Sequence, residues 1–215
     1  CYPFSNTELD IRGYDLDKAR QILDEAGYLD TDGDGIRETA EGLPLVFDVL
    51  ATAERNPEQL DVATYWAMEA EKIGIKLNVS AMDRDTLWDA MIPRNEFDIA
   101  FWSWTITPQP GNLLECKICD QATDSGFNEA GYCNPEFDKL AEEEGLAQTF
   151  EERKQIVWEA QEILYRDIPW LTYANIGGIS AIRSDKLDVE LCKALSSSGL
   201  VMIYKHFMAD ADTPS

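Results

Sequence analysis

Apolar residues in the first third of the chain recur at the three- and four-residue spacing of an amphipathic helix, in two separate stretches. Stretch 16–26 follows Asp15, carries its apolar residues on one helical face, and is followed by Gly27. An aspartate before the first apolar residue and a glycine after the last are typical of helix ends. Stretch 57–73 repeats this spacing and precedes Gly74, so we predict a helix over each stretch.

Stretches of strand length lie between and after these helices. Residues 75–81 alternate apolar and polar side chains, which is the pattern of a half-buried strand. The predicted strands are 43–50, 75–81 and 97–104, with a short helix over 85–91 before the last of them. Strands that alternate with helices in this way are typical of parallel βαβ units. We therefore predict an α/β fold with a mainly parallel central sheet flanked by helices.

The second half of the chain changes character after residue 104. Residues 105–131 are rich in Pro and Gly and form a predicted loop, which at this length is usually functional or cross-linked. Asn134 followed by a proline predicts a helix start. Thr149 and Glu152 form a capping-box pattern for a last helix that ends before Pro169. Two short strands are predicted after it, over 170–174 and 179–183.

The composition is that of a folded domain, since 45% of the residues are hydrophobic. No apolar run approaches the roughly 18–20 residues of a membrane-spanning helix. The first residues lack the basic and apolar regions of a signal peptide. This start fits a cytosolic protein or a numbering that begins inside a longer chain, and we favour the longer chain.

The net charge of the chain is −23, from 18 basic and 41 acidic residues. The electric field of so negative a chain repels nucleic acid and anionic lipid, so neither is an expected partner. The acidity predicts a strongly solvated surface, and the attraction of cationic ligands is an alternative.

Five cysteines are too few for a disulfide scaffold, yet three of them lie close together. Cys116 and Cys119 have the spacing of half a zinc site or of a redox motif, and Cys133 follows in the same part of the chain. A second pair at matching spacing is missing, and the single histidine, His206, is remote. A structural disulfide in an oxidising compartment therefore fits better than zinc.

An acidic segment at residues 30–41 matches the pattern of a calcium-binding loop. Carboxylates at alternate positions can converge on one hard cation, and glycine permits the sharp turn between them. The predicted ligands are the carboxylates of Asp30, Asp32, Asp34 and Glu41 and the backbone carbonyl of Ile36. The alternative is a solvated turn without an ion, in which the glycines adopt positive φ. We expect a structural role at most, and no cofactor is expected to be required.

Four segments, together with the helix predicted over 151–164, occur in a specific order and spacing. They are 14–28 (YDLDKA through EAGY), 73–79 (IGIKLNV), 96–104 (EFDIAFWSW) and 132–140 (YCNPEFDKL). As an ordered set they resemble the bacterial extracellular solute-binding proteins of family 5, which serve ABC importers of peptides, nickel or sugars. The resemblance extends over about residues 14–183.

Members of this family are much longer than this chain, and the similar region is their C-terminal half. The resemblance therefore implies one lobe of a class II periplasmic-binding-protein-like fold. It divides the chain into a linker from a missing N-terminal lobe (1–13), the solute-binding lobe (14–183) and a C-terminal tail segment (184–215). A return of this tail toward the other lobe is one alternative. In the family, two lobes close on a solute and present it to the membrane subunits of an importer. This implies a periplasmic or extracellular location. Attachment to the membrane through the missing N-terminal region is an alternative to a free protein.

The resemblance also implies where a solute lies. Trp104 corresponds to an aromatic wall of the family's ligand cleft, and a place in the core is the alternative. The implied rim residues are Thr105, Thr107, Gln109 and Asn112. Typical peptide binders carry an aspartate in this rim, and none stands at 105–109, so a sugar-like or other neutral solute joins oligopeptides as a candidate. The family's disulfide before its Asn-Pro segment corresponds to Cys119–Cys133.

An enzyme is not expected. A Ser-His-Asp or Cys-His arrangement would have to use the single histidine near the C-terminus. Acidic residues are so abundant that a carboxylate pair carries no information about hydrolysis. The alternative to solute binding is a calcium-stabilised secreted interaction module without a transport role, which depends on the acidic loop alone.

Overall fold

A computed structural model of the chain describes residues 3–54, 58–92, 97–104, 110–123 and 125–173. In chain order the elements are α1 (Leu16–Glu25), β1 (Val46–Thr52), α2 (Glu58–Glu71), β2 (Lys76–Met82), α3 (Arg84–Met91), β3 (Ile99–Ala100), α4 (Gly111–Glu115), α5 (Pro135–Leu146) and α6 (Phe150–Asp167). A 3-10 turn at Cys119–Gln121 lies between α4 and α5. None of the helices within these ranges combines the length and apolar content that crossing a membrane requires.

The strands form one sheet in the order β2-β1-β3, and both pairs are parallel. In this register, Val49 of β1 lies opposite Val79 of β2 and Ile99 of β3. Helix α2 connects the neighbouring strands β1 and β2, because parallel neighbours require a crossover connection. Helix α3 leads from β2 to β3, which lies on the other side of β1. The predicted α/β fold with a parallel sheet and flanking helices is confirmed.

The central strand β1 is buried on both faces. Val49 and Ala51 belong to one apolar cluster, together with Ala63 of α2. Leu50 belongs to a different cluster, together with Leu87 of α3. Because alternate side chains of a strand leave opposite faces, the apolar run of β1 supplies a core to the helix on each side of the sheet.

The predicted strands differ in extent from the observed ones. Of the stretch 97–104, only Ile99–Ala100 pairs as a strand. The N–H of Phe101 still donates to the carbonyl of Leu50 at 2.8 Å. Among the described strands, β1 is the one neighbour of β3, and residues 102–104 do not pair with it. Residues 170–173 are not in a strand, whereas residue 174 and the predicted strand 179–183 lie outside the described residues.

The predicted helix starts are present. Asp15 caps α1 by accepting the N–H three residues further on at 2.9 Å, and Asn134 caps α5 in a similar way. At α6, Thr149 accepts the N–H of Glu152 at 3.2 Å. The Glu152 carboxylate, however, accepts the N–H of Gln148 at 2.9 Å, one residue before the position that a capping box uses.

A separate apolar core lies among α4, α5 and α6, with Phe137 and Ala160 fully buried in it. Phe4 belongs to the same core and is 7% exposed, and its carbonyl accepts the side-chain amide of Gln161 at 2.7 Å. The described part of the predicted linker, 1–13, is therefore anchored on α6 rather than a free connection. A single phenylalanine among polar residues has no periodicity, so the pattern could not predict this contact.

Candidate ligand-binding site

Trp104 lies just beyond the C-terminal end of β3, which is where open parallel sheets bind their ligands. It is 38% exposed, so it is not sealed within the core. The ring of Trp88, from α3, lies 6.2 Å from that of Trp104 and 5.3 Å from that of Trp102. Trp102 packs against the core cluster around α3, so its place is in the core rather than on the exposed surface.

A single buried carboxylate, that of Glu129, holds the Trp104 ring. Its Oε1 accepts hydrogen bonds from the indole Nε1 of Trp104 at 2.9 Å and of Trp170 at 3.2 Å. The ammonium of Lys117 lies 3.1 Å from Oε1 and 3.2 Å from Oε2. Buried indole N–H groups require an acceptor, and a buried carboxylate requires a counter-charge, so the four side chains satisfy one another.

The ammonium of Lys117 is enclosed by aromatic rings. It lies 4.1 Å from the ring centre of Trp170 and 5.5 Å from that of Trp104, within reach of cation–π attraction. The side chains of Lys117 and Glu129 are only 12% and 7% exposed. Burial lowers the pKa of Lys117 because desolvation disfavours the ammonium, while the nearby Glu129 carboxylate opposes that shift. Together the two groups carry no net charge.

An exposed aromatic surface lies above this ion pair. Phe127 is 45% exposed, and its ring lies edge-on to that of Trp104 with 6.1 Å between the centres. We call Trp104 and Phe127 the aromatic surface. Flat apolar rings can stack against a peptide unit, an apolar side chain or a sugar ring, and they provide no charge for an ionic group.

The loop that carries Glu129 is cross-linked at its ends. A disulfide joins Cys119 to Cys133, the pairing that the family resemblance implies. Within the loop, the buried amide of Asn128 donates to three backbone carbonyls, those of Lys117, Ile118 and Tyr132. Because Cys119 is bonded to Cys133, the Cys116–Cys119 pair forms neither a zinc half-site nor a redox pair. Burial raises the pKa of the Cys116 thiol.

The remaining predicted ligand-binding residues are placed only in part. Asn112 is exposed on α4, and the contacts described around Trp104 come from Trp88, Phe127, Glu129 and Lys117 instead. Thr105, Thr107 and Gln109 lie outside the described residues. Their role, like that of Asn112, stays a prediction.

The sequence does not single out the groups that hold Trp104. Glu129 is one of 41 acidic residues, and Lys117 stands between two cysteines without a motif of its own. Trp170 falls at the start of a predicted strand. The one available indication is the position of Glu129 inside the predicted loop 105–131, where function is expected but no residue is distinguished.

The acidic loop brings carboxylates together, with one correction to the predicted set. Oxygens of Asp30, Asp32, Asp34 and Glu38 lie within 4.8 Å of one another. The predicted closing ligand, Glu41, is not among them. Residues 38 and 44 form an antiparallel bridge, and the N–H of Gly42 donates to the carbonyl of Thr39 at 2.9 Å. This turn carries Glu41 to an exposed tip, whereas Glu38 is 7% exposed at its base.

The same carboxylates accept backbone N–H groups of their own loop. Asp30 accepts from Gly33 at 2.7 Å and from Gly35 at 3.0 Å, and both glycines have positive φ. The N–H of Ile36 donates to Asp34 at 2.8 Å, and the predicted role of its carbonyl is not tested by this contact. The carboxylates of Asp30 and Asp34 thus accept hydrogen bonds from the loop backbone, as they would in a turn without an ion. Both interpretations, a calcium loop and a solvated turn, remain open.

One family and several known proteins are similar to the chain. The family described as bacterial extracellular solute-binding proteins, family 5 (middle), matches residues 2–115. The oligopeptide-binding protein AppA of Bacillus subtilis is 32% identical over 151 residues, which cover 70% of this chain and 26% of that protein. Di/tripeptide-binding protein 2 of Pseudomonas aeruginosa is 25% identical over 166 residues, which cover 75% of this chain and 28% of that protein. The chain thus spans about a quarter of the length of these relatives.

Solved structures share the fold. The structure of AppA from Bacillus subtilis in complex with a nonapeptide has a TM-score of 0.69 and 25% identity, over 77% of this chain and 33% of that one. The oligopeptide-binding protein of Thermus thermophilus, complexed with a pentapeptide, has a TM-score of 0.68 and 26% identity, over 78% of this chain and 30% of that one. Both similarities cover more than three quarters of the chain.

Proposed function

The chain belongs to family 5 of the bacterial extracellular solute-binding proteins, and we propose that it is the C-terminal lobe of a protein that binds a solute for an ABC importer. Members of this family bind solutes and are not enzymes, so no catalytic role is proposed for this chain. The proposal is supported by the family match and by the shared fold.

The aromatic surface is the proposed place where the solute binds. Trp104 lies at the C-terminal end of a parallel sheet, is partly exposed, and is held from behind by a buried carboxylate. A fixed ring at this edge can form one wall of a cleft that a second lobe would close. Relatives with the names oligopeptide-binding and di/tripeptide-binding protein favour a peptide, and a related neutral solute is the other candidate.

The other partners follow from the same proposal. Residues 14–183 form the lobe, 1–13 lead to it from an N-terminal lobe, and 184–215 form a tail segment. The loaded protein meets the membrane subunits of the importer at the periplasmic or extracellular face of a membrane, with or without an anchor. Nucleic acid is not a proposed partner, because a net charge of −23 repels it.

We further propose a structural calcium ion at the acidic loop, with Glu38 in place of Glu41 among its ligands. Four carboxylates whose oxygens lie within 4.8 Å of one another fit a hard cation of high coordination number. The family comparisons do not bear on this ion, and solute binding does not depend on it. The interaction-module alternative draws no support from the relatives.

The complete protein provides the test of solute binding. Thermal unfolding is measured with a mixture of di- to nonapeptides and, separately, with a mixture of neutral oligosaccharides, because a bound ligand raises the midpoint. For the probe that binds, we expect Trp104→Ala to weaken affinity about tenfold, since one buried ring face contributes on the order of 1–2 kcal/mol.

Trp66→Ala is the matched control, because Trp66 lies on α2 and is 37% exposed against 38% for Trp104. Equal affinities for the two variants would contradict the proposed site. Turnover of either probe mixture would contradict the proposed class of protein.

A further inference from the structure

Four separated parts of the chain meet at the carboxylate of Glu129. Trp104 follows β3, Lys117 follows α4, Glu129 lies in the disulfide-closed loop, and Trp170 follows α6. All three partners donate to the same oxygen, Oε1, at 2.9, 3.1 and 3.2 Å. A single acceptor therefore sets the directions of two indole rings, one from the end of the sheet and one from the end of the helical core.

The buried carboxylate of Glu129 is paired with the ammonium of Lys117. A carboxylate that is 7% exposed is costly to leave without a counter-charge, and the Lys117 ammonium lies within 3.2 Å of both of its oxygens. A carboxylate is also a stronger acceptor for two N–H donors than a neutral group. The ammonium in turn stacks on the Trp170 ring at 4.1 Å. Removing Glu129 would therefore leave both indole N–H groups and the Lys117 ammonium without this acceptor.

We propose that Glu129 and Lys117 are positioning residues for the aromatic surface: Glu129 orients the indoles of Trp104 and Trp170, and Lys117 provides the counter-charge that holds the Glu129 carboxylate in place. This inference rests on the proposed function and adds a substrate preference to it. The Glu129–Lys117 pair is buried and its two charges are opposite, so the pair adds no net charge to the aromatic surface. The part of the solute that lies against it is accordingly uncharged, such as a peptide backbone, an apolar side chain or a sugar ring.

The orientation of the indoles can be measured by nuclear magnetic resonance of the indole N–H groups in the complete protein. Trp104→Phe and Trp170→Phe identify the two signals. In Glu129→Gln we expect these two signals to move, because the charge-assisted bonds are lost, and the signal of Trp66 on α2, whose described ring contact is with Phe101, to stay. Lys117→Met is expected to move the same two signals, because it removes the counter-charge of the carboxylate and leaves the chain length similar.

Glu144→Gln is the matched control. The Glu144 side chain is 3% exposed and pairs with Arg153 at 2.5 Å in the other core, so this variant loses a buried ion pair of the same kind. It is expected to reduce stability while leaving the signals of Trp104 and Trp170 in place. Unchanged signals in Glu129→Gln, or the same movement in Glu144→Gln, would overturn the inference.

A second measurement separates this inference from the proposed function. With the peptide or oligosaccharide mixture that stabilises the protein, we expect Glu129→Gln to weaken affinity severalfold, and Trp104→Ala to weaken it more. If Trp104→Ala lowers affinity and Glu129→Gln does not, positioning by Glu129 is irrelevant to binding and the inference fails. If Trp104→Ala leaves affinity unchanged, the proposed site fails instead, while the indole signals still report whether Glu129 orients the rings.

Discussion

Asp167, the last residue of α6, joins three polar groups from two parts of the chain. It accepts hydrogen bonds from the hydroxyl of Tyr132 at 2.6 Å, from the side-chain amide of Asn134 at 3.0 Å and from the guanidinium of Arg166 at 2.9 Å. The bond from Arg166 is the largest of the causes that lower the pKa of Asp167 to about 2. Burial, followed by the bond to Asp167, raises the pKa of Tyr132 to about 12. These residues tie the start of α5 to the end of α6.

The pKa of Asp167 predicts how stability depends on pH. Its value of about 2 in the folded chain lies below the ordinary value of 3.8, so the folded state favours the charged form. The stabilisation is fully present above about pH 4 and is lost as the pH falls toward about 2. We expect Asp167→Asn to lower the thermal midpoint at neutral pH and to flatten its decline between these limits.

Thermal unfolding across this pH range, followed by circular dichroism, measures the effect. Asp17→Asn is the control, because Asp17 pairs with Arg20 on the surface and its side chain is 96% exposed. Parallel curves for Asp167→Asn and the wild type, separated by a constant amount at every pH, would show that Asp167 does not titrate as described.

At the scale of elements, the loop closed by Cys119–Cys133 links the aromatic surface to the helical core. It contains Glu129 and Phe127, and its N–H at Cys119 donates to the carboxylate of Asp138 in α5 at 3.1 Å. The loop has little regular structure of its own within the described residues. Its shape therefore depends on the cross-link and on the buried amide of Asn128 rather than on a backbone ladder.

Removing the cross-link is expected to destabilise the protein. The two cysteines are 14 residues apart, and in the chain-entropy model closing a loop of this size contributes about 3 kcal/mol. A variant with Cys119→Ser and Cys133→Ser should lose roughly that amount in urea unfolding. Cys116→Ser is the control, since Cys116 is bonded to neither residue. Equal midpoints for the double variant and the control would contradict a stabilising role for the cross-link.

At the scale of the whole molecule, the net charge of −23 acts on every part of the fold. Like charges on a compact chain repel one another, and added salt screens that repulsion. Any gain in stability from calcium therefore contains a general part, which other salts also produce, and a specific part at the acidic loop. Only the specific part bears on the proposed ion.

The calcium prediction is tested against this background. We expect calcium chloride to raise the thermal midpoint more than sodium chloride of equal ionic strength, because an ion bound only by the folded state stabilises it. Asp32→Asn should remove the difference. Asp85→Asn, an exposed aspartate with a side chain 94% accessible on α3, should leave it intact. If both salts act alike on the wild type, the loop is a solvated turn.

The sequence by itself determined the features that depend on residues within a few positions of one another. The caps at Asp15, Asn134 and Thr149 and the presence of a parallel sheet follow from local spacing, because a helix start and an alternating strand are short-range patterns. The order of the strands in that sheet does not. The family resemblance added Trp104 and the disulfide. Tertiary structure alone decided which of the 41 acidic residues are buried and contact other groups of the proposed sites. Glu129 and Glu38 are distinguished by burial and by partners distant in the chain or across a turn, and such contacts leave no periodic trace in the order of residues.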